Sequence, residues 1–349
     1  MDPVAAMRKL GHRKVRGSAL GAWASLALVL LFSMQSFSAM AIPGGQSQAA
    51  PMAFGPMATY YPNHPRLLVR DVDWTGGLSV KDIRARCTIG SSWWNQCQRI
   101  PGVSYSGERE IAFYAFRYLL LSNGADADHV ITLMKAAPTL VANATLLADM
   151  ALGFDWVYNY TSFSGADKTT VINKIDALAT TVQNSLFTRH IWARDMAETG
   201  AVGLAGLALE GHHANADKYV GSAYQNATYI MAALDYSNGT WPEGLWYLNT
   251  QRLPHFLEFL EGYRTATEPS YDPFADIKNN QHDWLRKMLY FHIYNFMPYG
   301  ESSRSGDTLT GQMKNYFRPN LDLMVSKTQD PAGAEFLGLL EATPSALPT

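Results

Sequence analysis

The sequence predicts an all-α fold, and two features support this prediction. Helical spacing of apolar residues recurs along most of the 349-residue chain, whereas no segment shows convincing apolar–polar alternation with a period of two. The predicted helices are of two kinds that take turns along the chain: nearly uncharged helices, which must be covered on both sides, and amphipathic helices. This alternation favours an incomplete (α/α) toroid of antiparallel helical hairpins with the apolar helices inside. A helical bundle or a superhelical solenoid is the alternative.

Boundary residues mark several of the predicted helices. The dipeptide Asn123-Gly124 is a C-cap signal and is expected to end the first helix. Pro138 is expected to end the second, because proline cannot continue a helix. Ser164 is expected to start an amphipathic helix. The predicted helices cover residues 108–121, 128–137, 140–158, 164–182, 192–209, 214–236, 253–264, 277–295 and 331–343.

Three glycines recur in the predicted helix 192–209, at Gly200, Gly203 and Gly206. Because glycine has no side chain, neighbouring helices can approach its backbone closely. We therefore expect this helix to be one of the buried, closely packed ones.

The composition excludes several classes of protein. With 47% hydrophobic and 17% charged residues, the chain is globular and long enough to bury a large core. Its formal net charge of −2 gives no broad basic field, so nucleic acid is not expected as a partner. No cofactor or metal site is expected.

The N-terminus is typical of a secretory signal. Basic residues from Arg8 to Arg16 precede an apolar run over 22–32, and Ala39-Met40-Ala41 is a cleavage-type sequence. We expect residues 1–41 to be a signal peptide, 42–59 a flexible lead-in and 60–349 the toroid domain. The mature protein would then be secreted or periplasmic and free of the membrane. An uncleaved N-terminal anchor is the alternative.

Cys87 and Cys97 are the two cysteines of the chain. In an oxidising compartment a pair this close can form a local disulfide, which we expect here. Two buried thiols are the alternative. No histidine lies nearby in the sequence, so a zinc site is not expected.

The stretch 238–264 concentrates side chains suited to a sugar. Aromatic rings stack on the apolar faces of a pyranose, while charged groups bind its hydroxyls and carboxylate. Exposed rings, an acid and a guanidinium are expected here, just ahead of a helix whose later residues pack inward. The residues are Trp241, Glu243, Trp246, Tyr247 and Arg252.

Two further segments carry functional side chains next to predicted buried helices. The first, 189–198, leads into the glycine-containing helix, and the second, 297–308, is a Gly-rich loop. Their candidate residues are His190, Arg194, Asp195, Glu198 and Arg304.

Together with the opening motif His64-Pro65-Arg66-Leu67-Leu68, these segments resemble the heparinase II/III-like polysaccharide lyases, close to alginate lyases of the same architecture. No single motif is specific, and the likeness lies in their order and spacing over residues 60–310. The other motifs are FDWVY at 154–158, GLAGLAL at 203–209, WPEGLWY at 241–247 and GDT at 306–308.

The resemblance implies an (α/α) toroid followed by a β-sandwich, and cleavage of uronic-acid polysaccharides by β-elimination. Such an enzyme must neutralise the uronate carboxylate and place a base within about 3 Å of the C5 proton. The resemblance makes Tyr247 the base and leaving-group acid, with a neighbouring Arg194 or Arg252 lowering its pKa. His190, Asp195 and Glu198 are the candidates for the implied carboxylate neutraliser.

The sequence departs from the family pattern in two ways. Ala193-Arg194-Asp195 stands where an asparagine is expected, and an ionised Asp195 would repel a substrate carboxylate unless Arg194 takes over the task. The strand-rich region that supplies a second catalytic histidine is also missing from these 349 residues, so we expect a toroid without its C-terminal β-sandwich. The substrate-binding candidates are Arg194, Asp195, Trp241, Glu243, Trp246, Arg252 and Arg304.

Two other functions fit the same fold. The protein could bind acidic oligosaccharide without cleaving it. It could also be a glycoside hydrolase with Asp155 and Asp195 as its acid and base. We rank the hydrolase last, because Asp155 lies in a buried run where a structural hydrogen bond is the simpler role. His212 and His213 follow a helix end, where a cation complements the helix dipole.

Overall fold

The structure is a computed structural model, and it describes the greater part of the chain beyond residue 58. Of the described residues, 72% are helical, and their strands form one two-stranded sheet. The all-α prediction is therefore confirmed. The predicted signal peptide and nearly all of the predicted lead-in lie outside the described residues, as does Cys97. The described ranges are 59–87, 109–186, 193–245, 248–268, 272–274, 283–295 and 314–342.

The described part of the chain contains eleven α-helices, a π-helical turn and two short strands. In chain order the helices are α1 (Val80–Arg86), α2 (Glu110–Leu121), α3 (Gly124–Ala136), α4 (Ala144–Val157), α5 (Gly165–Ser185), α6 (Ala193–Leu209), α7 (Ala216–Tyr236), α8 (Leu253–Ala266), α9 (Asp283–Asn295), α10 (Lys314–Thr328) and α11 (Pro331–Ala342). The π-helical turn is Leu248–Arg252, and the strands are β1 (Thr59–Tyr60) and β2 (Thr267–Glu268).

The helices form two rows. Helices α2, α4, α6 and α8 pack side by side in that order, and we call them the central row. Helices α3, α5 and α7 pack against them and α9 packs against α7, and we call these four helices the flanking row. Within the flanking row α3 contacts α5 and α7 contacts α9, while Thr180 of α5 hydrogen bonds to Tyr219 of α7 at 2.7 Å.

The two rows correspond to the two kinds of helix that the sequence predicts. Every residue of α4 from Leu147 to Val157 is buried, because α4 is covered by both its row neighbours and the flanking row. In α5, by contrast, buried residues recur at helical spacing along one face and the rest are partly or fully exposed. Residue-level hydrophobicity thus determined which helices are central and which flank them.

The glycines of α6 are contact points, as predicted. A Cβ atom on Gly200 would lie 2.3 Å from the backbone of His255 in α8, and one on Gly203 would meet the ring of Phe259 at the same distance. On the other side of α6, a Cβ on Gly206 would lie 2.7 Å from the backbone nitrogen of Val220 in α7. These three positions let α6 pack tightly between α8 and α7.

The predicted helices were wrong in two respects. The first is Asn123, which does not end α2: Ser122 is the left-handed C-cap (φ 54°), and Asn123 caps the start of α3 by accepting from the Ala125 N–H at 3.2 Å. The second is that α1 and α10 were not predicted. Helix α1 has only seven residues, and α10 contains Pro319, which breaks the helical signal in its sequence.

An N-terminal segment, residues 59–70, lies across the C-terminal ends of the central row. β1 pairs antiparallel with β2, directly after α8, and the Tyr61 N–H donates to the Ala266 carbonyl at 2.8 Å. The Arg66 guanidinium donates to the Glu210 carbonyl at the end of α6 at 2.9 Å. The indole N–H of Trp156 in α4 donates to the Leu67 carbonyl at 3.0 Å. This segment therefore closes the C-terminal end of the row.

None of the helices in the described ranges combines the length and apolar character needed to cross a membrane. Cys87 is buried. Because Cys97 lies outside the described residues, the disulfide stays a prediction.

Candidate functional site

The opposite, N-terminal end of the central row carries a group of charged side chains that we call the N-end cluster: Arg109, Asp149, His255 and Glu258. Arg109 Nη1 lies 3.1 Å from Asp149 Oδ1 and 3.4 Å from Glu258 Oε2, and Arg109 Nη2 contacts Glu258 Oε1. Arg109 Nη1 also lies 3.3 Å from His255 Nδ1. These four residues come from three different helices of the row or their caps.

Local structure explains how the cluster is assembled. Arg109 is the N-cap residue of α2, so its side chain starts at the very end of that helix. His255 and Glu258 are three residues apart in α8 and therefore share one face, 3.2 Å from each other. His255 Nε2 reaches Thr145 Oγ1 in the first turn of α4 at 3.1 Å. The starts of α2, α4 and α8 thus meet at one place.

The two carboxyl groups of the cluster have different pKa values. Burial raises the pKa of Asp149 to about 7, and the attraction of Arg109 offsets it only in part. Burial also acts on Glu258, but there the charge of Arg109 and the hydrogen bond from His255 outweigh it and lower the pKa to about 2. Burial lowers the pKa of His255, which favours a neutral imidazole. Asp149 can therefore exchange a proton near neutral pH while Glu258 stays ionised.

Two predicted residues of α6 lie at the same end of the row. Arg194 Nε donates to Glu198 Oε1 at 2.6 Å, and Ser185 Oγ at the end of α5 donates to the same oxygen at 2.9 Å. Glu198 is only 3% exposed, whereas the side chain of Arg194 is 51% exposed. Of these two, Arg194 can reach a ligand in solution, and Glu198 links α5 to α6.

Two predicted sugar-binding residues are buried and require correction. Trp241 is 2% exposed and Asp195 is 3% exposed, so neither offers an accessible surface to a glycan. The turn before Trp241 lies against α9, because a Cβ on Gly239 would be 2.3 Å from the Lys287 and Met288 backbone. That contact brings Trp241 into the core. Asp195 lies in the first turn of the closely packed α6.

The remaining predicted site residues divide into two groups. Glu243 and Arg252 are partly exposed and lie just before α8. His190, Trp246, Tyr247 and Arg304 lie outside the described residues, so their roles stay predictions.

A second polar group, the C-end cluster, lies at the closed end of the row: His64, Arg66, Asp155 and His212. His64 Nδ1 donates to Asp155 Oδ1 at 2.6 Å, and His64 Nε2 accepts from Arg66 Nη2 at 2.8 Å. Asp155 also accepts the backbone N–H groups of Arg66 and Leu67, at 3.0 Å and 2.9 Å. Asp155 is fully buried and fixes the N-terminal segment, which is the structural role that the sequence favoured for it.

His212 extends this cluster toward the surface. Its Nε2 lies 2.9 Å from His64 Nε2, and its ring is tilted by 33° relative to that of Tyr158, with a centroid distance of 4.9 Å. Burial lowers the pKa of His212 to about 4, with the positive charges of neighbouring groups acting in the same direction. A neutral His212 at pH 7 does not act as the cation that we expected at this helix end.

The residues that sequence reasoning missed are the four of the N-end cluster. Arg109 lies at the start of a predicted helix, and the pair His255 and Glu258 has helical spacing in a helix that is otherwise apolar. Charged residues at such positions are a usable signal, but their convergence depends on how the helices pack.

The described residues include no group of three or more His, Cys, Asp or Glu side chains arranged to hold a metal ion. Compared with models of known protein families and with curated proteins, the sequence matches none of them.

Proposed function

We propose that this protein is a polysaccharide lyase, or the toroidal domain of one, that cleaves uronic-acid glycans by β-elimination at the N-terminal end of the central row. The observation that carries the proposal is the convergence of Arg109, Asp149 and Glu258 from α2, α4 and α8. The family resemblance of the sequence motifs supports it. The predicted signal sequence supports an extracytoplasmic location.

The convergence also supports a curved arrangement of the central row. Helices α2 and α8 stand at opposite ends of the row, with α4 and α6 between them. In a flat row their side chains would be too far apart, since neighbouring helix axes are about 8–10 Å apart. The ion pair between Arg109 and Glu258 therefore favours an arc whose concave side gathers the helix starts, as in an (α/α) toroid.

The two ends of the row differ in ways that favour the N-terminal end as the substrate site. The N-terminal segment covers the ends of α4, α6 and α8 at the other side. Helix starts carry partial positive charge and attract anions. Arg109 and Arg194 are partly exposed there, with side chains 35% and 51% accessible. An acidic sugar would meet favourable charge at this end.

The proposed chemistry assigns each step to a residue of this chain. Arg194 neutralises the uronate carboxylate, because its side chain is 51% exposed and it lies next to Asp195, in the tripeptide that replaces the family's asparagine. Tyr247 removes the C5 proton and returns a proton to the leaving oxygen, and Arg252 favours its ionised form. His190 assists at the carboxylate. Electrons from the C5–H bond form the C4–C5 double bond as the C4–O bond breaks.

The test is an elimination assay on purified protein. Alginate, heparin, chondroitin and hyaluronan are each incubated with the chain, and ultraviolet absorbance of the new double bond is followed. We expect product with at least one polysaccharide, and a loss of about a hundredfold or more in Tyr247→Phe, since general acid–base catalysis contributes at least that much. Tyr236→Phe, which changes an 80%-exposed tyrosine on α7, is the matched control. A Tyr247→Phe variant with full activity would overturn the assignment.

A second candidate is a glycan-binding protein without catalysis. Asp195 in place of the expected amide favours it, because the substitution removes a neutral hydrogen-bond donor. This candidate predicts saturable binding of an acidic oligosaccharide by the unmodified chain with no unsaturated product.

A further inference from the structure

Among the described residues, the contacts of Arg109 use only the two terminal nitrogens of its guanidinium. An arginine has five N–H donors, and the edge formed by Nε and Nη2 matches the two oxygens of a carboxylate. In Arg109 the contacts with Asp149, His255 and Glu258 are made by Nη1 and by Nη2. Within the described part of the chain, Nε has no hydrogen-bond partner. The side chain of Arg109 is 35% exposed, and its Nε atom is not fully buried.

Arg117 on the same helix shows the ordinary arrangement. Its Nε donates to Asp126 Oδ2 at 2.7 Å and its Nη2 contacts Asp126 Oδ1, so the edge is fully used by a carboxylate of the protein itself. The side chains of Arg117 and Arg109 are similarly exposed, at 38% and 35%. Arg109 thus leaves unused the edge that Arg117 uses for an internal ion pair.

The partners of Arg109 hold this edge in a fixed orientation. Glu258 engages both terminal nitrogens, and Asp149 holds Nη1 from α4. Asp149 is fully buried and the side chain of Glu258 is 20% exposed, so the guanidinium cannot move away from these carboxyl groups without a loss of free energy. A carboxylate that arrives at the open edge would not need to order the side chain first, and such preorganisation favours binding.

We infer that the Nε–Nη2 edge of Arg109 binds the carboxylate of an acidic sugar unit, as a subsite in addition to the predicted catalytic residues. This inference rests on the proposed function for the identity of the ligand. Arg109 lies at the N-terminal end of the central row, where the starts of α4, α6 and α8 also attract anions. Arg109 would hold one uronate of a bound chain while the elimination takes place at another.

The test measures binding by calorimetry in a Tyr247→Phe background, so that turnover does not interfere. The probes are uronate oligosaccharides cut from alginate and from hyaluronan, and the same alginate oligosaccharides with methyl-esterified carboxyl groups. Arg109→Lys keeps the charge beside Asp149 and Glu258 but removes the two-pronged edge. We expect it to raise the Kd about tenfold or more, as the loss of a charge-assisted hydrogen bond does.

Arg117→Lys is the matched control and should bind like the parent protein. Thermal unfolding of each variant verifies that it is folded, and Arg109→Gln provides a second variant if Arg109→Lys is unstable. Unchanged affinity in folded Arg109 variants, equal binding of the esterified probe, or no binding of either acidic probe would each overturn the inference. Arg109-dependent binding, together with no elimination product from the unmodified protein, would leave the subsite standing and refute the lyase. If elimination proceeds at the same rate in the Arg109 variants as in the parent protein, the lyase proposal stands and the subsite is refuted.

Discussion

Arg109 at the start of α2 pairs with Glu258 in α8, with Nη1 and Oε2 3.4 Å apart, although α4 and α6 stand between these two helices in the central row. The pair spans 149 residues of sequence and joins the first helix of the row to the last. It therefore links the two ends of the row and holds the geometry of the candidate site.

Removing the charge of Glu258 should destabilise the fold. In Glu258→Gln, Arg109 and the neighbouring His255 lose their ionised partner, and Arg109 is left with Asp149 alone. Loss of one partner of a fully buried pair costs about 3–5 kcal/mol, but solvent reaches Arg109, so we expect about 1–2 kcal/mol. Urea denaturation measures the change. Glu335→Gln, on the exposed face of α11, should leave the free energy of unfolding unaltered.

The Asp155 carboxylate should be indispensable for attaching the N-terminal segment. In Asp155→Asn, an NH₂ group replaces either Oδ1, which accepts from His64 Nδ1, or Oδ2, which accepts from the Arg66 and Leu67 backbone, so at least one buried donor loses its acceptor. We expect a loss of about 3 kcal/mol or more. Hydrogen exchange should become faster in residues 59–70 before it does so in α6. Asp128→Asn, an exposed change on α3, is the control; equal protection in both variants would contradict this role of Asp155.

Stability should depend on pH through Asp149. Folding raises the pKa of this carboxyl from 3.8 to about 7, so between these values the native state binds a proton that the unfolded chain does not. Stability from this group therefore falls as the pH rises through that window. An asparagine cannot titrate, so Asp149→Asn should gain stability relative to the parent protein between pH 5 and pH 8. Urea denaturation at both pH values measures the difference, in which all other titrating groups cancel. A difference that does not change with pH would show an ordinary pKa for Asp149.

A methyl group at Gly200 should disrupt the packing of α6 against α8. The added Cβ of Gly200→Ala would lie 2.3 Å from backbone atoms of His255. Unlike a flexible side chain, this backbone cannot move aside. Overpacking of this kind costs about 1–3 kcal/mol or more. Gly338→Ala in α11 is the matched control, because nothing lies within 4 Å of its added Cβ, and alanine there should stabilise the helix by about 0.5–1 kcal/mol. Thermal unfolding of both variants distinguishes the two outcomes.

The candidate site was less predictable than the helices, and Trp241 and Arg109 show why. The sequence around Trp241 is rich in aromatic and charged residues, which predicts an exposed sugar-binding surface, yet the turn at Gly239 packs on α9 and the ring is 2% exposed. Arg109 was not predicted as a site residue, because its partners Asp149 and Glu258 are distant in sequence. Exposure and long-range pairing depend on the neighbours of a residue, and these are not encoded in its local pattern.

The sequence by itself determined the helical class, the order of buried and amphipathic helices and the close contacts of Gly200, Gly203 and Gly206. Each of these follows from local periodicity or from the size of one side chain, so a short window of residues is sufficient to predict it. Only the tertiary structure decided that the starts of α2, α4 and α8 share one charged cluster, that residues 59–70 close the opposite end, and that this segment supplies the partners of Asp155. These features depend on contacts between segments about 90 to 200 residues apart, whose geometry is defined only when the whole core packs together.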